Sequence, residues 1–197
     1  MVDLLLAAFR RAGYEVALSQ GMRPKPVISL ALARGVGIAS EDERCTIELL
    51  GGPHDPAVLL ERLAATCPRG VVPLEARPAG PKGMAVGATY RIELAAPPEV
   101  VARAVDAYRA SDELPIERRS PKQRRTVDVR RHAPEPRLED GAVVVDIAIH
   151  DDGSAKPEEV VRALSQCAGE DLPVAGITRL AVDIAPKPAR VKTTETP

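Results

Sequence analysis

Aromatic residues are nearly missing from this chain of 197 residues: Phe9, Tyr14, Tyr90 and Tyr108 are the full set, and there is no Trp. Proteins that bind single strands by stacking bases on rows of aromatic rings are disfavoured by that count. Lysine is also scarce, with 6 Lys against 21 Arg. An Arg fork binds phosphate or carboxylate through two parallel hydrogen bonds, which Lys cannot do. No apolar run approaches the roughly 20 residues of a membrane-crossing helix. The short stretch Val2–Phe9 contains Asp3, and Arg10 and Arg11 follow it instead of preceding it, the reverse of a secretory signal.

The three cysteines, Cys45, Cys67 and Cys167, are far apart and odd in number. No CxxC, CxxxCxxC or HExxH spacing occurs, so neither a zinc site nor an iron–sulfur cluster is expected, and no cofactor is implied. The thiols fit a reduced, cytoplasmic setting better than a disulfide frame. Each occupies an apolar position of its element, so burial is expected for all three. Gly35-Val36-Gly37 lacks the third glycine of a dinucleotide fingerprint, and no phosphate-loop lysine is present. His54, His132 and His150 have no Ser or Cys nucleophile beside them and read as solvated loop residues.

What the chain does have is aliphatic content: 45% of residues are hydrophobic, enough for one compact domain or two small ones. Residues 2–12 predict a helix ended by Gly13. Val16–Leu18 and Val27–Leu32 predict short strands. A strand–helix–strand unit then recurs three times. The first copy is Cys45–Leu50, a helix from Pro56 to Cys67, and Val71–Ala76. The second is Tyr90–Leu94, a helix from Pro98 to Ala110, and Leu114–Arg118. The third is Val143–Ile149, a helix from Pro157 to Ala168, and Ile177–Ile184. Each helix opens on proline, whose missing N–H has no partner in a first turn anyway, and Asp55 is placed to cap the first. Counted from each proline, Leu59, Val101 and Val160 share one register and Leu63, Val105 and Leu164 the next, as one apolar stripe requires. The fold class expected is α+β, in two layers, with ferredoxin-like strand–helix–strand units in series. Strands 45–50, 71–76, 90–94 and 114–118 are expected to share a sheet. Residues 1–118 form the N-terminal region, 119–185 a C-terminal unit sharing its core, and 186–197 a disordered tail.

Two polar stretches stand out. Ser19-Gln20-Gly21-Met22-Arg23-Pro24-Lys25-Pro26 is a turn stiffened by two prolines, offering Gln20, Arg23 and Lys25 on a rigid backbone. Between Ile116 and Arg137 the chain carries Arg118, Arg119, Lys122, Arg124, Arg125, Arg130, Arg131 and Arg137 against Glu117, Asp128 and Glu135. That is a net of +5 within a chain of net −1. Clustered Arg suits nucleic-acid phosphates. The plainer reading is a solvated connection whose charges pair with acidic loops at 41–43 and 151–152. A strand is expected at Thr126–Arg130.

Several stretches resemble a known family: Phe9–Gly13, Val16–Ser29, Thr46–Leu49, Thr126–Arg130 and Gly153–Val160. The chain resembles the radical-SAM-linked protein family, a domain of unknown function found fused to, or encoded beside, a B12-binding-type radical SAM protein. The resemblance covers nearly the whole chain in motif order, and Ser19 to Ser29 is its most specific part. It implies a radical SAM protein as partner and no established activity. It also implies a first strand and a loop ending in a His-Leu-Asp-like motif whose Asp would be Asp3, so either a mis-assigned start or a shortened member is expected, with an exposed sheet edge and a tendency to self-associate. The resulting expectation is a non-catalytic accessory domain that presents a substrate, RNA by the argument from the Arg cluster. Ser19, Gln20, Arg23, Lys25 and Ser29 form its anchoring loop. Arg118, Arg119, Arg124, Arg125 and Arg130 contact phosphates, with Asp128 orienting an Arg. The alternatives are an RNA-acting enzyme using Asp128 as acid–base group, and a protein-interaction scaffold without nucleic acid.

Overall fold

A computed structural model describes residues 1–80, 83–119 and 124–186, the side chain of Arg119 excepted. The elements in chain order are α1 (Val2–Arg11), β1 (Ile28–Leu30), β2 (Ala39–Ser40), β3 (Cys45–Ile47), α2 (Pro56–Thr66), β4 (Gly83–Leu94), α3 (Pro98–Ala110), β5 (Pro115–Arg119), β6 (Arg124–Asp128), α4 (Val129–His132), β7 (Arg137–Glu139), β8 (Ala142–His150), β9 (Gly153–Ser154), α5 (Pro157–Ala168) and β10 (Val174–Pro186). The fold is α+β. The chain divides into two compact units: residues 1–31 with 44–82 in one, and residues 32–43 with 83–185 in the other. The sequence boundary expected at 118 falls inside the second unit, because β5 and β6 pair across it. The tail after Pro186 lies outside the described residues.

The first unit packs α1 against α2. Ala8, Phe9, Ala12, Tyr14 and Leu63 form its buried cluster. Helix α2 starts where its sequence signals said: Pro56 occupies the first turn, and the N–H of Ala57 donates to Oδ1 of Asp55 at 2.8 Å. The Thr66 hydroxyl donates to the carbonyl of Ala8 at 3.1 Å, locking the two helices together. Beside them β1 and β3 form a two-stranded antiparallel sheet, pairing Ile28 with Ile47 and Leu30 with Cys45. Residues 71–76, expected as a strand of the main sheet, form no strand. Pro73 removes a ladder donor from the middle of that stretch. Strand 45–50 shortens to β3 and pairs with β1 instead.

The second unit carries the main sheet, in the order β2-β10-β4-β8-β7. Strands β4 and β8 run antiparallel with Tyr90 opposite Val145 and Ile92 opposite Val143. Gly83 stands against Ile184 and Gly176 against Glu93, so β4 and β10 are antiparallel too. Strands β8 and β10 are therefore parallel, joined through α5, with β4 inserted between them. The third predicted unit exists in this split form. Tyr90, Ile92, Val143, Val145 and Ile147 meet Val101, Val105 and Tyr108 of α3 and Val160 and Leu164 of α5 in one buried core. The stripe read from the proline register is thus the buried face. The second predicted unit does not close: 115–119 leaves the main sheet and pairs with β6.

Cys45 is exposed, contrary to the burial expected of it, because it opens a three-residue strand at the end of a two-stranded sheet. Cys67 and Cys167 are half-buried, each packed on its own unit's core from the end of a helix. Among the described residues, no group of three His, Cys, Asp or Glu side chains is placed to hold a metal ion. No described helix is long and apolar enough to cross a membrane.

Candidate nucleic-acid interface

The basic segment folds as an antiparallel hairpin. Its register pairs Pro115 with Asp128, Ile116 with Val127, Glu117 with Thr126, Arg118 with Arg125 and Arg119 with Arg124. Ile116 and Val127 are buried, which turns one row of the hairpin inward. The same row continues outward as Arg118 opposite Arg125. Like charges directly opposite each other destabilise a strand pair, and this hairpin sets two such pairs in succession. The intervening residues 120–123, including Lys122, lie outside the described residues.

Arg118 resolves its half of the conflict through Glu159. Its Nε donates to Glu159 Oε1 at 2.6 Å, a second N–H reaches Oε2, and Nη2 also donates to the carbonyl of Ser154 at 2.8 Å. Glu159 is 1% exposed and also accepts the backbone N–H of Lys156 at 2.8 Å. Burial pushes the Glu159 carboxyl up, but these donors outweigh it and hold the group below the usual carboxylate range. The same bonds raise the Arg118 pKa. Arg118 is therefore a structural residue, not the free phosphate contact expected of it.

Arg130 is committed likewise. Its Nε donates to the carbonyl of Ser111 at 3.1 Å and Nη2 to that of Arg109 at 3.0 Å, with the guanidinium over the Tyr108 ring. Among the described residues Asp128 orients no Arg side chain. Its Oδ1 accepts the backbone N–H groups of Leu114 at 2.9 Å and Arg130 at 3.1 Å, capping α4. That employment also weakens the reading of Asp128 as an acid–base group. Arg131 pairs with Asp152 and Arg137 with Asp146, each at 2.7 Å. Of these four arginines only Arg131 pairs with an acidic loop as the plainer reading expected; Arg118, Arg130 and Arg137 are held by other partners. Arg124 keeps a side chain 75% exposed, 3.9 Å from Glu117. Arg125 is exposed as well.

The turn 19–29 belongs to the first unit, the hairpin to the second. Ser19 closes the turn on both sides: its N–H donates to the carbonyl of Lys25 at 2.7 Å, and its Oγ accepts the Lys25 N–H at 3.0 Å. Val27 N–H then donates to Ala17 at 2.8 Å. Gln20, Arg23 and Lys25 stand exposed on the tip with a fully exposed Met22. Ser29 is half-buried within β1, opposite Thr46, and is not part of the tip.

Two sets of residues escaped sequence reading. Glu159 looked like an ordinary first-turn acid. Arg179 is 1% exposed, with Nη2 2.7 Å from Glu43 and donors to Leu32 and Ser40, fastening residues 32–43 to β10. A charge at an inward position of an alternating strand, between Ile177 and Ala181, was the available signal. His132 is buried and its ring lies 5.1 Å from that of His150, so it is not the solvated loop residue expected.

These features define an α+β protein with a basic, partly ion-paired β-hairpin. Residues 1–157 match the family described as "Uncharacterized protein conserved in bacteria (DUF2344)", and the chain belongs to that family. No curated protein and no solved structure matches it.

Proposed function

We propose that the protein is a non-catalytic accessory domain that works with a radical SAM enzyme and holds an RNA backbone on the β5–β6 hairpin. The observation that supports it is the register Arg118–Arg125 and Arg119–Arg124. The two Arg pairs project from opposite faces of the hairpin, each with a local like-charge cost, and an anionic backbone wrapped round the hairpin offsets what Glu159 leaves of it. Arg118 is neutralised by Glu159, which leaves Arg124 and Arg125 as the described exposed contacts. The radical SAM partner rests on the family resemblance carried by Val16–Ser29 and Gly153–Val160.

The test is a salt titration of RNA binding by the full chain and by the Arg124→Ala/Arg125→Ala variant. Each phosphate contact on a single strand contributes about 0.7 to the slope of log K against log salt, so the variant should flatten the slope by about 1.4. It should weaken binding equally across sequences, because phosphate contacts carry no base information. No binding at low salt, or an unchanged slope in the variant, rejects RNA and leaves a protein scaffold. Co-purification from the host, with identification of bound proteins, tests the radical SAM partner separately.

A further inference from the structure

The hairpin row that carries Arg118 and Arg125 meets the β8–β9 turn. Arg118 donates to the carbonyl of Ser154 at 2.8 Å, and a Cβ built on Gly153 would stand 3.5 Å from Nη2 of Arg125. Gly153 is the cross-strand partner of His150. Directly opposite residues project to one side of an antiparallel ladder, with Cβ positions about 5 Å apart. The Arg125 guanidinium therefore stands beside His150, at the place where its cross-strand neighbour has no side chain. Gly153 has φ +130, which side-chain-bearing residues rarely adopt, so that place stays open. Arg125 and His150 are both exposed.

Behind His150 stands the buried His132 of α4, with ring centres 5.1 Å apart. Two imidazoles bound to one tetrahedral ion at about 2.0–2.1 Å also have ring centres about 5 Å apart, so spacing alone would suit a metal. The surrounding charges argue against a cation. Arg125 lies beside His150 and Arg131 beside His132. Asp152 is committed to Arg131 at 2.7 Å, and no third metal ligand is placed among the described residues. An imidazole next to an exposed guanidinium, with the nearest carboxylate already paired, attracts an anion instead. Both side chains are donors that suit phosphate oxygens.

We infer that Arg125 and His150 together hold one phosphodiester of a bound RNA, Arg125 through its guanidinium fork and His150 through a ring N–H. This inference rests on the RNA reading above and adds a contact from β8 that the hairpin alone does not supply. Histidine gains its positive charge as pH falls from 8 to 5, so this contact strengthens in that direction. The charged and titratable groups around His150 are His132 and Arg131 from α4, Arg125 from β6, and Asp151 and Asp152 from the turn.

The test is a salt titration of an oligouridine without terminal phosphates, read by fluorescence anisotropy with the full chain at pH 7.5 and 5.5. Far-UV circular dichroism checks that the chain is folded at both values. Binding should be about three- to fivefold tighter at pH 5.5. The slope of log K against log salt should steepen there by about 0.7, the share of one further phosphate contact. His150→Gln, an exposed change, should abolish both effects, and His54→Gln in the first unit should keep them. Equal affinity at the two pH values, a gain that survives His150→Gln, or a gain lost with His54→Gln overturns the His150 contact and leaves the RNA reading standing. Tighter binding of inorganic phosphate than of the oligomer marks a site for the free ion and likewise overturns the RNA contact. No binding of the oligomer at either pH in low salt overturns both readings.

Discussion

Arg118 donates to Glu159 across 41 residues of chain, joining the β5–β6 hairpin to the first turn of α5. Breaking a buried pair by removing one partner strands the other charge, and the loss is about 3 kcal/mol or more. Arg118→Ala and Glu159→Gln should each lower the urea midpoint strongly, whereas Arg118→Met combined with Glu159→Leu should recover most of the loss. The folded-state pKa of Glu159 is depressed, so its contribution is present above the ordinary value of 4.5 and disappears as pH falls below it. A midpoint untouched by Glu159→Gln would contradict this account.

Tyr108 is fully buried, and its hydroxyl donates to the carbonyl of Ala133 at 2.7 Å. Burial raises the phenol's pKa further, keeping it a donor throughout the ordinary pH range. Tyr108→Phe keeps the packing and leaves a buried acceptor alone, a loss of about 1–2 kcal/mol. Chemical denaturation should show that shift with no change in m-value.

Burial, the neighbouring His150 and Arg131 all lower the His132 pKa from its usual 6.5. The unfolded chain takes up a proton there before the folded one does, so stability declines as pH drops below about 6.5 and levels off once the folded state is also protonated. Other groups facing the ring are Asp152, which acts in the opposite direction, and the Ala148 carbonyl. His150→Gln removes the neighbouring imidazole that lowers the His132 pKa and should shallow the decline, measured as urea midpoints at pH 7.5 and 5.5. An equally steep decline in the variant would exclude His150 as a cause.

Asp55→Ala should destabilise the first unit by about 1 kcal/mol, because it frees the Ala57 N–H from its cap. Amide hydrogen exchange should accelerate at the start of α2. Unaltered exchange there would show that the cap contributes nothing in solution.

Helix positions were legible because their causes are local. Pro56, Pro98 and Pro157 each open a helix, and Leu63, Val105 and Leu164 each face the core one register further on. Strand partners were less so. Strand 45–47 could have paired with any exposed ladder, and found 28–30 rather than the neighbours expected of it. The basic cluster was legible as charge, but the choice among its members was not. Nothing near Arg118 in sequence distinguishes it from Arg125.

The sequence by itself determined the α+β class, the start and buried stripe of each long helix, and the concentration of arginine between residues 116 and 137. Each depends on spacing within a few residues, where backbone capping and side-chain periodicity operate. Only the tertiary structure decided which arginines remain exposed. That choice depends on carboxylates and carbonyls brought in from distant segments: Glu159 to Arg118, Ser111 and Arg109 to Arg130, Asp152 to Arg131. An ion pair forms where chain folding lowers the distance between opposite charges, and sequence separation carries no record of that distance.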